Sequence, residues 1–147
     1  MRSDRKTKKQ HSPPPPRWPV YRHVIFDCDS TLTGIEGIDE LASHPDTRQR
    51  VADLTRSAMD GKVNLETVYG ERLEILQPTR GAVRALRSRY RKHVVKDAAA
   101  LIQALQVLGH EVYIVSGGLF DPVREFGLHL GVAPEHIRAV EVEYDTL

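Results

Sequence analysis

Two short apolar runs that each stop abruptly at polar residues, and the distance between them, constrain this chain more than any other feature. Residues 22–27 read Arg-His-Val-Ile-Phe-Asp, and residues 111–116 read Glu-Val-Tyr-Ile-Val-Ser, followed by Gly117 and Gly118. β-Branched and aromatic side chains in runs this short, bounded by acid or glycine, predict buried strands. A third strand is predicted at residues 139–142, Ala-Val-Glu-Val. Asp27 and Ser116 stand 89 positions apart, whereas a strand-helix-strand unit needs about 30 residues. Something is inserted between the first two strands.

The remaining pattern is helical. Ala98, Leu101, Ile102, Leu105 and Leu108 form one apolar stripe with Asp97 at the N-cap, and Gly109-His110 ends it. Asp121-Pro122 opens a second helix, carried by Val123, Phe126, Leu128 and Leu130 as far as Gly131. Strands alternating with helices predict an α/β fold, a Rossmann-like parallel sheet that binds ligands beyond the carboxyl ends of its strands. Asp27 and Ser116 both sit at such ends. Residues 35–92 show no strand alternation, and Pro45, Gly61 and Pro78 divide them into about four helical segments, around Ile38–Leu41, Val51–Met59, Leu65–Leu76 and Val83–Tyr90. The predicted organisation is an α/β core from residues 20–34 and 93–147, and an inserted helical cap, residues 35–92, overhanging the site as a lid.

Composition narrows the function classes. At 147 residues, 40% apolar and 28% charged, the chain matches one water-soluble domain, with no run near the ~18 apolar residues of a membrane span. Of its 21 basic and 20 acidic residues, Arg2, Arg5, Lys6, Lys8, Lys9 and Arg17 face only Asp4 in the first seventeen positions, so the remainder is mildly acidic. That balance argues against nucleic acid as a partner. Residues 1–19, with Pro13, Pro14, Pro15, Pro16 and Pro19, are expected to be a disordered basic tail, a polyproline spacer or a ligand for an aromatic groove. It lacks the apolar core of a secretory signal, and Cys28 is the only cysteine, so a cytoplasmic setting is expected.

The chemistry concentrates in Asp27-Cys28-Asp29-Ser30-Thr31. Two carboxylates two residues apart beside a buried strand repel each other, and Mg²⁺ with hard oxygen ligands is the usual compensation. Asp27 can then attack phosphorus, while Asp29 protonates the leaving alkoxide and later activates water. The tripeptide alone fits a structural role or a sugar-nucleotide metal site equally well. Seven histidines show no metal-ligand spacing, and the run from Arg80 to Lys92 reads as a solvated basic helix face.

Three motifs in register extend the pattern: residues 26–33, Phe-Asp-Cys-Asp-Ser-Thr-Leu-Thr; residues 36–42 with 58–65; and residues 115–119, Val-Ser-Gly-Gly-Leu. Together they resemble the haloacid dehalogenase superfamily, in its phosphoserine phosphatase branch, over residues 22 to about 145. The resemblance implies Asp27 as nucleophile and Asp29 as general acid-base, with Mg²⁺ held by the Asp27 carboxylate and the Asp29 backbone carbonyl. It implies that Ser116 and the Gly117 amide hold phosphoryl oxygens, that Glu36 pairs with a substrate ammonium and Arg72 with its carboxylate, and that Met59 is an apolar lid contact. The implied substrate is a small phosphorylated amino acid, O-phospho-L-serine, in L-serine biosynthesis. Asp39 and Glu40 are expected to be exposed or capping acids.

The family's third-motif lysine and its fourth, glycine-rich acidic loop have no counterpart: no lysine follows Lys96. The expectation is therefore a core whose C-terminal strands are missing, with weakened metal binding, little activity, and a first strand whose free edge invites a partner chain supplying them. Alternatives kept open are a catalytically silent phospho-amino-acid-binding fragment, and a phosphotransferase or phosphatase acting on another small phosphomonoester.

Overall fold

The computed structural model describes residues 21–144, apart from the side chains of Met59, Leu65 and Glu66. The basic proline-rich tail predicted at residues 1–19 lies outside the described residues. Three parallel strands form one sheet in the order β1 (His23–Phe26), β2 (Glu111–Leu119) and β3 (Ile137–Val140). Val24 pairs with Val112 and Phe26 with Ile114, and Ile114 pairs with Ile137, so these residues share one face. That face is the core. Val112, Ile114 and Ile137 pack there with Ile102 of α4 (Ala98–Val107) and with Val123 and Phe126 of α5 (Phe120–His129). Fully burying side chains of this size contributes about 1.5–3 kcal/mol each.

Helix α5 lies close on the sheet because position 127 has no side chain. A Cβ on Gly127 would stand 2.7 Å from Ile137 Cδ1 and 2.9 Å from Ile114 Cδ1. The insert between β1 and α4 contains a short 3-10 turn (Asp39–Leu41) followed by α1 (Pro45–Met59), α2 (Leu65–Leu76) and α3 (Arg80–Lys92). Helices α1 and α2 pack on each other, whereas α3 packs along α5, with the Tyr90 and Phe126 rings edge to face at 5.6 Å.

Several local expectations are corrected. Strand β2 does not stop at the glycines but continues through Ser116, Gly117 and Gly118 to Leu119, and its register with β3 shifts between Val115 and Leu119. Glycine tolerates this irregularity, so it marks a distortion of the strand and not its end. Helix α5 consequently starts at Phe120, with Leu119 at the N-cap and no capping side chain. Asp97 does occupy the N-cap of α4, in left-handed backbone at φ 64°, but its side chain makes no capping hydrogen bond. Strand β3 lies two residues earlier than predicted. Of the predicted α4 stripe, Ala98 and Ile102 are buried, whereas Leu101 and Leu108 are exposed; in α5, Leu128 is also outside the core.

Candidate active site

The site forms just past the end of β1, alongside the part of β2 that runs on beyond Ile114. After Phe26 the chain turns sharply, and the Cys28 carbonyl accepts hydrogen bonds from the amides of Thr31, Leu32 and Thr33. Ser30 sits in left-handed backbone within this turn. Thr33, fully buried, ties the loop to the end of α3 through its hydroxyl, which donates to the His93 carbonyl at 3.3 Å. Alternation along the strand end sends Cys28 into the core and leaves Asp27 on the open side. Burial, with the charges of Asp29, Asp27 and Glu36 added, pushes the Cys28 thiol far above its ordinary range, so it is an inert core residue.

Asp27, Asp29, Glu36, Ile38, Tyr69, Arg72, Ser116, Gly117 and Gly118 line one cavity of about 230 Å³. Six of the seven residues singled out in the sequence therefore converge: Asp27, Asp29, Glu36, Arg72, Ser116 and Gly117. The seventh, Met59, has its side chain outside the described residues. A larger hollow of about 420 Å³ lies elsewhere, lined by Arg84, Arg87, Asp121, Pro122, Arg124 and Glu125. There acids and arginines alternate on exposed helix faces, with no nucleophile beside a buried acid.

The polar groups of the smaller cavity are unevenly satisfied. Asp29 Oδ2 accepts from the Gly37 amide at 3.0 Å, while Asp29 Oδ1 is buried without a hydrogen-bond partner among the described residues. Burial raises the Asp29 carboxyl above its ordinary value; Tyr90 and the Gly37 amide pull it down, and the charges of Glu36 and Asp27 raise it again. The Ser30 hydroxyl donates to Glu36 Oε1 at 2.6 Å, fixing that carboxylate at the mouth. Ser116 is buried, and its Oγ accepts from the Gly118 amide at 3.0 Å. The glycine demanded by sterics is 118 and not 117: a Cβ at 118 would meet Asp29 Oδ2 at 3.2 Å and Ser116 Oγ at 3.3 Å, whereas one at 117 would meet nothing within 4 Å.

Several site residues escaped sequence reasoning. Asp39, expected to be an exposed or capping acid, is half-buried and ion-pairs Arg72 at 3.6 Å, and Glu40 pairs with Arg89 at 2.8 Å. The Asp39 contact leaves Arg72 Nε buried and unpartnered. Tyr69 precedes Arg72 by three residues on α2, the spacing that puts two side chains on one helix face, and this was the available signal. Burial, with the Asp29 charge, pushes the Tyr69 phenol up to about 12. Tyr90 read only as one apolar member of the α3 stripe.

Two adjacent strand ends, one carrying paired acids and the other Ser-Gly-Gly, under a helical insert, define a recognisable architecture. The haloacid dehalogenase-like hydrolase profile matches residues 21–145. The chain belongs to that family. Within it, the chain is 31% identical over 121 residues to the phosphoserine phosphatase of Bos taurus, covering 82% of this chain and 54% of that protein. Among solved structures, a phosphoserine phosphohydrolase-like protein from Francisella tularensis superposes with a TM-score of 0.77 at 26% identity, over 86% of this chain and 61% of that one. A phospho-aspartyl intermediate analogue of phosphoserine phosphatase superposes with a TM-score of 0.66 at 30% identity, over 82% and 55%. The chain spans about half the length of the curated relatives it matches. No helix among the described residues is long and apolar enough to cross a membrane.

Proposed function

We propose that this haloacid dehalogenase-like hydrolase acts on small phosphomonoesters through an aspartyl-phosphate on Asp27, with O-phospho-L-serine as the substrate. The observation that carries the proposal is the convergence of Asp27, Asp29, Ser116, Glu36 and Arg72 on one cavity. Asp27, exposed at the end of β1, attacks phosphorus and displaces the alkoxide, which takes a proton from Asp29. Asp29, now a carboxylate, draws a proton from water, and the hydroxide so formed cleaves the acyl phosphate. The Ser116 hydroxyl and Gly117 amide hold the phosphoryl oxygens. Arg72, with its free Nε, takes the substrate carboxylate, and Glu36 takes the ammonium. The phospho-aspartyl analogue captured in a phosphoserine phosphatase of the same fold supports the covalent route.

The donor set fits Mg²⁺. Three carboxylates and one guanidinium line the cavity, so a phosphate dianion enters only with an additional cation. Asp27 and the backbone carbonyl of Asp29 offer hard oxygens, and Mg²⁺ commonly uses one or two carboxylates completed by water and substrate phosphate. When bound, it screens the phosphoryl charge during attack.

A second proposal, binding of a phospho-amino acid without turnover, is favoured by one observation: among the described residues no lysine lines the cavity. Phosphate release from O-phospho-L-serine with Mg²⁺ decides between them. Turnover that falls more than about 10³-fold in Asp27→Asn, with binding retained, is the expected result, a loss of about 4 kcal/mol in barrier terms. Unchanged turnover in that variant rules out the covalent route, and calorimetric binding without phosphate release selects the second reading.

A further inference from the structure

The buried phenol of Tyr90 has no part in the mechanism above. Tyr90 of α3 is completely buried, and its hydroxyl has no hydrogen-bond partner among the described residues. Asp29 Oδ1, also buried, has none either. A buried donor and a buried acceptor left open each cost about 1–3 kcal/mol. Three observations place the phenol beside the Asp29 carboxyl. The Gly37 amide is bonded to the same carboxyl, at Oδ2. A Cβ on Gly37 would stand 2.0 Å from the Tyr90 hydroxyl oxygen, so the phenol ends directly against that residue. The Asp29 carboxyl is also the leading charge acting on the phenol, after burial itself.

The surroundings fix the phenol in this position. Its ring is held edge to face against Phe126, and the Tyr90 backbone carbonyl lies 3.5 Å from the hydroxyl of Thr33, in the loop that carries Asp29. This contact ties helix α3 to the catalytic loop. With the buried Oδ1 accepting from Tyr90, Oδ2, which lies towards Gly118 in the cavity wall, keeps a second lone pair beside the Gly37 amide and can exchange a proton with a substrate oxygen.

We propose that Tyr90 is a positioning residue: during the reaction its hydroxyl donates to Asp29 Oδ1 and, with the Gly37 amide on Oδ2, aims the carboxyl at the leaving oxygen. The inference rests on the phosphatase proposal but not on the identity of the phosphomonoester. Tyr90 touches neither phosphorus nor the leaving group. Its own proton stays in place, since burial and the neighbouring carboxyl hold the phenol far above its ordinary range. The proton balance is unchanged: the alkoxide takes the proton of Asp29, and water restores it.

The test is Tyr90→Phe assayed on a series of aryl phosphates from p-nitrophenyl to phenyl phosphate, together with O-phospho-L-serine. A p-nitrophenolate leaves without a proton, whereas phenoxide and alkoxide leaving groups need one. The expected result is a kcat/KM for p-nitrophenyl phosphate within about twofold of wild type, with kcat/KM for phenyl phosphate and O-phospho-L-serine, which excludes the hydrolysis step common to all esters, falling roughly 10- to 100-fold, the range general acid catalysis supplies. The dependence of kcat/KM on leaving-group pKa steepens accordingly. An equal loss on every ester assigns Tyr90 a merely structural role and overturns the proposal, as does no loss on any. Wild-type chain that hydrolyses the aryl series but not O-phospho-L-serine refutes that substrate assignment alone, and the change of slope still decides the role of Tyr90. Wild-type chain inactive on all of them overturns both. Thermal melting guards against misfolding: Tyr90→Phe keeps the ring against Phe126 and removes an unpaired buried hydroxyl, so its Tm is expected to equal or exceed that of wild type.

Discussion

Asp29 shows what one site residue costs the fold. Its carboxyl is held above the ordinary value of 3.8 chiefly by burial, so the folded state keeps the proton longer than the unfolded chain does. The stability associated with that proton is fully present below about pH 3.8 and is lost as pH rises through the folded value. The native chain therefore holds a half-buried carboxyl whose ionisation is disfavoured and one of whose oxygens is unpaired. Asp29→Asn removes that burden. In metal-free buffer at pH 7 its Tm is expected to rise by about 2–5 °C, with the gain shrinking toward pH 4. Calorimetry at the two pH values checks this, and an equal or lower Tm at pH 7 contradicts the sign. Proton transfer uses the same property that strains the fold, a carboxyl kept neutral above its ordinary range.

At the scale of elements, the seat of α5 on the sheet is decided at Gly127. The Cδ1 atoms that a new methyl would meet belong to Ile137 and Ile114, both fully buried, so neither can swing aside. Overpacking of this kind costs about 1–3 kcal/mol, more than the roughly 1 kcal/mol that alanine gains over glycine in helix propensity. Gly127→Ala is therefore expected to lower the denaturation midpoint, and adding Ile137→Val, which deletes the nearer Cδ1, to recover part of the loss. A midpoint that rises in the single variant places α5 farther from the sheet than described. The same helix begins one residue after β2 ends, so its seat also sets the Ser116–Gly118 segment that faces Asp29.

Across the whole molecule, the described helices that pack on the sheet cover one face. Parallel sheets are ordinarily buried on both. Here Ile25 is 64% and Val115 50% exposed on the open face, and β1 offers a free edge among the described residues. On α4, Val107 is 80% exposed. Apolar surface next to an unpaired edge promotes association. Light scattering is expected to show concentration-dependent self-association that Ile25→Lys suppresses, since a lysine on an edge strand blunts strand pairing. A wild-type chain that stays monomeric to high concentration contradicts this.

Much of this molecule was legible along the chain, because the signals involved are local. The β-branched run ending at Asp27 and the run ending at Ser116 specified two parallel strand ends, and the interval between them specified an insert. Periodicity placed the helices to within a few residues. The paired acids followed from residue type and position, and Ser116, Gly117, Glu36 and Arg72 from the resemblance to a known family. Contacts between distant segments were not legible. No local pattern tells that β2 runs on through its glycines, that Gly118 and not Gly117 must lack a side chain, that Asp39 braces Arg72, or that Tyr90 of a distant helix ends beside Asp29. Composition and spacing act over a few residues, whereas these relations exist only once the chain closes over the insert. The sequence by itself determined which groups were available for chemistry; tertiary packing decided which oxygen of Asp29 found a partner and which was left open.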